Sequence, residues 1–271
     1  MKILNGTELA GFIKERQAKQ VRALQQAHGI LPRLAIITNV DNPVIDVYMR
    51  LKKNYGADIL IDVEIHRVKP DETLDTIEQL NSRADVQAII VQLPISDMSE
   101  IEQILEAVDP AKDVDGLHPN SHFDAATPTA INWLLAGYGV ELRGKKIAIV
   151  GRGRLVGAPL EKMLRNSGVD ATVFVRGDNL AELINYDVIV TATGAPNTIT
   201  NDMIKPGAVL IDAGTAAEDG VIRGDVSPEV RQRQDLTITP EKGGIGPLTV
   251  TALFDNVITA CFRIANSSKE S

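Results

Sequence analysis

Sulfur chemistry is nearly absent from this 271-residue chain: its one cysteine, Cys261, excludes an internal disulfide and fits a reducing compartment. Set in an apolar C-terminal helical pattern, that thiol reads as core rather than nucleophile. Basic charge is in deficit as well, with 28 lysines and arginines against 36 acidic residues and a net charge of −8. Such a surface argues against a nucleic-acid partner. No apolar run approaches the ~20 residues that span a bilayer, so no membrane partner is expected. No basic segment followed by an apolar stretch opens the chain, so no signal peptide is expected and the cytoplasm is the expected location. Metal-ligand spacing is missing too. Among the four histidines, His118 and His122 come closest, but Pro119 between them breaks any shared helix face, and no metal is expected.

What is present is ample core material, 44% hydrophobic and 24% charged, in a length that suggests two domains. A helix with a cap at Thr7 runs to Gly29, followed by a buried strand over 33–38 and a helix over 43–56. Strands then alternate with helices: strand 59–66, helix 72–83, strand 88–92, helix 99–108. This order implies right-handed crossovers and a mostly parallel sheet. The turn-rich stretch from Asp109 to Asn120 marks a boundary. After a helix over 128–135, strands are expected at 147–150, 171–175, 187–192 and 208–212, with helices between the first three. A final helix covers 249–264. The fold class is α/β, with an N-terminal substrate domain over 1–118 completed by 249–271. The second domain, over 119–248, is of Rossmann type.

Gly151-Arg-Gly-Arg-Leu-Val-Gly157 follows a buried strand and opens a helix, where a dinucleotide fold seats its pyrophosphate. Gly151 permits the tight turn and Gly153 lets the backbone approach the phosphates. Glycine-rich turns also end strands for purely structural reasons, but the flanking strand and helix favour the cofactor. Arg176 closes the next strand and, with Arg152 and Arg154, suits a 2′-phosphate, which favours NADP. Asp178, two residues on, suits a ribose and keeps NAD as the alternative.

In the first domain, Tyr48 and Lys52 lie four apart on one helix face, a spacing that more often means packing plus a surface amine. Gln92 ends a buried strand just before Leu93-Pro94. Lys112-Asp-Val-Asp115-Gly116 places two carboxylates in a loop, with too few acidic ligands following for calcium.

In this order, these pieces resemble the bifunctional methylenetetrahydrofolate dehydrogenase/cyclohydrolase family. The resemblance also covers Thr127-Pro128, Val156-Gly157-x-Pro159, Lys205 through Asp212-x-Gly214, Gly224-Asp225-Val226 and Gly243-Gly244-Ile-Gly246-Pro247-Leu-Thr249. It implies oxidation of 5,10-methylenetetrahydrofolate with NADP, hydrolysis of the methenyl product, and a homodimer acting on tetrahydrofolate derivatives. It further implies Lys52 as the acid/base, Gln92 as its tuning partner, Tyr48 stacked on the folate ring and Asp115 anchoring the pterin. Gly244 and Pro247 are implied in the substrate site beside the nicotinamide. Gly151, Arg152, Gly153, Arg154, Gly157, Arg176, Gly194, Gly214 and Thr249 are implied in cofactor binding. Two departures stand out. Ile45 replaces the family's serine before the tyrosine, and glycines at 153 and 177 replace hydroxyl residues around the cofactor's phosphates. A dehydrogenase-only enzyme and a non-catalytic binding homologue are the rival readings.

Overall fold

A computed structural model describes residues 1–218 and 221–270. In chain order the elements begin with β1 (Lys2–Ile3), α1 (Gly6–His28), β2 (Arg33–Thr38), α2 (Pro43–Asp58) and β3 (Asp62–Arg67). They continue with α3 (Thr73–Ser82), β4 (Ala88–Val91), α4 (Ile101–Glu106), α5 (Ala126–Gly137), β5 (Ile147–Val150), α6 (Gly157–Asn166) and β6 (Ala171–Phe174). The chain finishes through β7 (Val188–Thr191), β8 (Val209–Asp212), β9 (Ala216–Glu218), β10 (Val221–Arg223), α7 (Pro228–Arg231), β11 (Thr237–Ile238) and α8 (Ile245–Glu270).

Two compact units result, and neither is continuous in sequence. The first joins Met1–Gly11 to Thr127–Thr249, and the second joins Phe12–Ala126 to Val250–Ser271. The expected division at residue 118 therefore differs at both ends. The opening eleven residues group with the nucleotide-binding half, because β1 pairs in parallel with β11. Residues 119–126 group with the other half, where Asn256 of α8 donates to the Val114 and Asp124 carbonyls at 2.8 and 2.9 Å.

The second unit carries a three-stranded parallel sheet in the order β3-β2-β4. Strand β2 is central and buried along nearly its whole length, which is why it reads as an unbroken apolar run. Ile77, Leu80, Ile101 and Ile104 from the helices α3 and α4 close a core on Ala35, Ile37, Ile89 and Val91. At α2, Asn42 caps the start by accepting from the Val44 amide at 2.8 Å, and Pro43 occupies the first turn. The helix runs two residues past the expected stop at Gly56, and β3 starts at Asp62 rather than 59. Gly56 is packed instead: a side chain there would stand 2.6 Å from Val63.

The first unit is built on a six-stranded parallel sheet, order β1-β11-β8-β7-β5-β6. Successive strands leave β5 on opposite sides, so β5 marks the topological switch point, where such sheets bind ligands at their carboxyl edge. Two expectations change here. The connection from β6 to β7 is a six-residue 3-10 helix, Leu180–Asn185, capped by Asn179, not an α-helix. At the start of α1 the cap is Asn5, whose Oδ1 accepts from the Glu8 amide at 3.2 Å; Thr7 reaches the Gly243 carbonyl instead.

Helix α8 starts at Ile245, four residues earlier than expected. Over Ile245–Ser267 it is long and apolar enough to cross a membrane by length and composition, contrary to the expectation that no segment is. Just over half of its most apolar 18-residue window is buried in the protein. Leu253, Phe254, Val257, Ile258 and Cys261 are all core residues, with Phe254 stacked on Tyr55 at 5.0 Å between ring centroids.

Candidate active site

Lys52 projects from α2 one turn after Tyr48, and its Nζ donates to Oε1 of Gln92 at 2.8 Å. Gln92 stands just past β4, where its amide donates to the Ile37 carbonyl at 2.8 Å and its Nε2 to the Leu93 carbonyl at 3.0 Å. Held at both ends, its side chain has one oxygen aimed at the lysine. The Leu93–Pro94 peptide bond that follows is cis.

Burial holds the Lys52 ammonium below the ordinary lysine range, and the nearby Asp115 carboxylate only partly offsets this. Asp115 is itself pushed up by burial, countered by Lys52 and reinforced by Asp113. Tyr48 is likewise pushed up by burial. Ile45, 3% exposed, lies on α2 one turn before Tyr48 and two turns before Lys52 and adds no donor or acceptor there.

The loop after α4 separates two carboxylates that look equivalent in the sequence. Asp113 is buried, accepts from the His118 amide at 2.8 Å, and bridges in parallel to Ile89 beside β4. Lys112 caps the end of α3, donating to the Leu80, Asn81 and Arg83 carbonyls at 3.1, 2.7 and 2.7 Å. Both residues build the loop, and Asp115 is the carboxylate left beside Lys52. Gly116 has φ +71° and no room for a side chain, with the Ala125 amide nitrogen 2.7 Å from where a Cβ would be. One contributor escaped the sequence reading. Asn39, just past β2, donates to Thr73 at 3.1 Å and accepts from the Ser96 amide at 3.0 Å, fixing the neighbouring strand end. A lone amide closing an apolar strand was the available signal.

In the first unit, Gly151 leaves β5 with φ +97°, and its missing Cβ would meet the Ala192 carbonyl oxygen at 2.6 Å. Gly157, the first residue of α6, would collide with the Gly151 carbonyl oxygen at 1.9 Å if it carried a side chain. Gly153 is different: a Cβ there would enter open space, so the protein itself does not require glycine. The expected cations are distributed unevenly. Arg152 pairs with Glu161 of α6 at 3.1 Å, and Arg165 pairs with the same carboxylate. Arg154 lies in the turn and Arg176 is exposed just past β6. Asp178, weighed as a ribose ligand, is engaged in its own turn, accepting from the Val175 amide at 2.7 Å.

Gly194 follows β7 with φ +67°, and Gly214 follows β8. Gly244 packs against the start of α1, where its carbonyl oxygen would be 1.8 Å from a Cβ on Gly6. Pro247 sits in the first turn of α8, and the Thr249 hydroxyl lies 3.4 Å from that of Thr127. Tyr48, Lys52, Gln92 and Asp115 thus gather in one unit, while the glycines, the arginines, Pro247 and Thr249 gather in the other.

The fold and these two clusters define a two-unit α/β enzyme: one unit has a Rossmann-type nucleotide fold and the other carries a hydrogen-bonded lysine–amide pair. The chain belongs to the tetrahydrofolate dehydrogenase/cyclohydrolase family, whose catalytic domain matches residues 4–115 and whose NAD(P)-binding domain matches residues 125–265. It is similar to the bifunctional protein FolD of Nautilia profundicola, 34% identical over 99% of this chain and all of that one. Among solved structures it resembles the bifunctional FolD enzyme of Campylobacter jejuni, with TM-score 0.90 and 32% identity over 97% of this chain and 99% of that one. The Trypanosoma brucei dehydrogenase-cyclohydrolase, solved with NADP and an inhibitor, gives TM-score 0.90 and 28% identity over 97% of each chain. The protein is therefore a bifunctional enzyme of one-carbon folate metabolism, a methylenetetrahydrofolate dehydrogenase and cyclohydrolase.

Proposed function

We propose that this chain oxidises 5,10-methylenetetrahydrofolate with NADP and hydrolyses the methenyl product to 10-formyltetrahydrofolate, with Lys52 as the shared acid/base. The observation that carries the assignment is the hydrogen bond from the withdrawn Lys52 ammonium to Gln92 beside Asp115. A lysine whose pKa is lowered by burial has more neutral amine near neutral pH, which lets it accept as well as donate protons.

The glycine turn at β5 fits a dinucleotide, because the Cβ position of Gly153 faces open space and the N-terminus of α6 follows, where such folds seat a pyrophosphate. A nicotinamide dinucleotide bound there supplies the hydride acceptor. The turn aligns it, and Arg152, Arg154 and Arg176 supply positive charge for a 2′-phosphate. The T. brucei relative solved with NADP supports that choice over NAD, as does Asp178's engagement in its own turn. Gly194, Gly214 and Thr249 complete the cofactor site, and Gly244 and Pro247 the substrate side.

Oxidation needs alignment more than a base, since the substrate nitrogen's lone pair drives hydride departure. Hydrolysis needs protons moved. Lys52 as the amine takes a proton from the water that adds to the methenyl carbon, and as the ammonium returns one to the ring nitrogen that departs. Gln92 orients the lysine through its Oε1. Asp115 anchors the pterin and Tyr48 stacks against it.

The enzyme is assigned to the cytoplasm, in keeping with its single buried thiol. A homodimer is supported by the sheet edge at β6, which pairs only with β5 among the described residues and is followed by the exposed Val175. Light scattering after size-exclusion chromatography reads that state directly.

The decisive assay supplies 5,10-methylenetetrahydrofolate with NADP or NAD and follows reduced cofactor and the methenyl chromophore separately. Reduction with NADP and transient methenyl absorbance are expected. No reduction with either dinucleotide would sink the reading, and methenyl product that persists would leave only the dehydrogenase.

A further inference from the structure

The dinucleotide-binding unit holds a second group of buried charge that the mechanism above does not use. Asp225 follows β10 and is completely buried. Its Oδ2 accepts from the Thr191 hydroxyl at 2.6 Å and from the Thr193 amide at 2.7 Å. Its Oδ1 is buried with no hydrogen-bond partner, pressed against Gly214, where a Cβ would stand 2.1 Å away. Behind it Asp212, at the end of β8, accepts from the amides of Gly214, Asp225 and Val226 at 3.1, 3.0 and 3.2 Å, and from Arg231.

These bonds converge on the carboxyl edge of the sheet. Thr191 ends β7, and Thr193 begins the loop that carries Gly194. The same loop is tied at its far end, where the Ile199 amide donates to the Asp225 carbonyl at 3.1 Å and the Ser227 amide to the Ile199 carbonyl at 3.0 Å. At its near end the Ala192 amide donates to the Val150 carbonyl at 2.8 Å, and the Ala192 carbonyl faces Gly151. One aspartate therefore sets the shape of the loop after β7, which in turn forms a wall of the glycine turn after β5. Burying a carboxylate with one oxygen unmatched is unfavourable, and an apolar side chain would fill the space at less cost. A requirement on loop shape accounts for its presence.

We propose that Asp225 is a positioning residue for the dinucleotide site, holding the 192–198 loop against the Gly151 turn with Asp212 and Arg231 as its support. The proposal rests on the assignment of that turn to NADP. It predicts that the two activities respond separately, because methenyl hydrolysis uses Lys52 and Gln92 in the other unit.

The test uses the full-length enzyme with Thr191→Val, Thr191→Ser and Asp225→Asn. Thr191→Val keeps the shape and removes the hydroxyl, whereas Thr191→Ser keeps the hydroxyl. For Thr191→Val we expect about ten-fold weaker NADP binding by calorimetry and a matching rise in KM, the scale of one buried hydrogen bond. Methenyl hydrolysis should stay within about two-fold, and Thr191→Ser should restore NADP affinity. Asp225→Asn, if it folds, should weaken NADP binding further; if it does not fold, the threonine pair decides. Unchanged NADP affinity in folded Thr191→Val overturns the proposal. So does a parallel loss of hydrolysis, a failure of Thr191→Ser to restore binding, or unfolding of both threonine variants. Wild-type enzyme that binds neither dinucleotide would instead overturn the parent assignment.

Discussion

Each unit of the molecule takes charge out of water, and the two satisfy it to very different degrees. Asp212 receives three backbone amides and an arginine, and its partner Arg231 also donates to the Thr239 carbonyl. Lys52, with three N–H donors, has Gln92 as a hydrogen-bond partner and Asp115 as a neighbouring opposite charge. A carboxylate saturated as Asp212 is has one arrangement and no reason to exchange protons. A cluster with unused bonding capacity and pKa values displaced towards each other is equipped to move one. The contrast teaches that burial alone does not mark a proton-transfer site; a buried amine and a carboxylate whose pKa values are displaced towards each other are the better sign.

Lys52→Met tests the contrast most severely. It should lower methenyl hydrolysis by about a thousand-fold, within the usual range for a general acid/base, while leaving the circular dichroism unchanged. Retention of more than about a tenth of the rate, by decay of the methenyl absorbance, would break the contrast. Arg231→Met attacks the saturated side. It strands Asp212, 3% exposed, without its cation. The expected cost is about 3 kcal/mol or more in urea unfolding, with hydrolysis by the folded fraction unaffected.

The pH dependence sharpens the comparison. The folded pKa of Lys52 lies below its ordinary value of 10.5, so above the folded pKa the unfolded chain holds the extra proton. Its contribution to stability therefore rises with pH from the folded pKa up to 10.5, and Lys52→Met should flatten that rise in urea titrations. Gln92→Glu puts a carboxylate against the ammonium and should move the lysine limb of the hydrolysis profile to higher pH. A limb that stays put would assign it to another group. The smallest effect belongs to the exposed pair Arg67–Asp46, 2.6 Å apart. Arg67→Ala should change unfolding free energy by no more than about 0.5 kcal/mol.

Local pattern made half of this legible. The β5 strand, its glycine turn and the Tyr48–Lys52 spacing each lie within a few residues, where periodicity and turn chemistry act directly. Strands β1 and β11 were invisible, because two residues carry no alternation and their pairing joins Lys2 to Thr237. The 3-10 segment over Leu180–Asn185 has too few residues for helical periodicity to identify it, so an α-helix was expected. In the 112–116 loop, composition shows two carboxylates but not their duties. The bridge from Asp113 to Ile89 and the bond it accepts from the His118 amide make one structural and leave the other to the site.

The interleaving of the two units has a consequence for the order of events during synthesis. The partner strand of β1 is made some 235 residues after β1 itself. The second unit likewise waits for α8, whose Phe254 completes the packing over Tyr55. Neither core closes until residues 237–254 have been made, and closing such long loops is entropically costly and slow. Until then, the parallel strands β2, β3 and β4 stand with part of their apolar cover missing. Nascent chains stalled before Ile245 should therefore be the most dependent on chaperones.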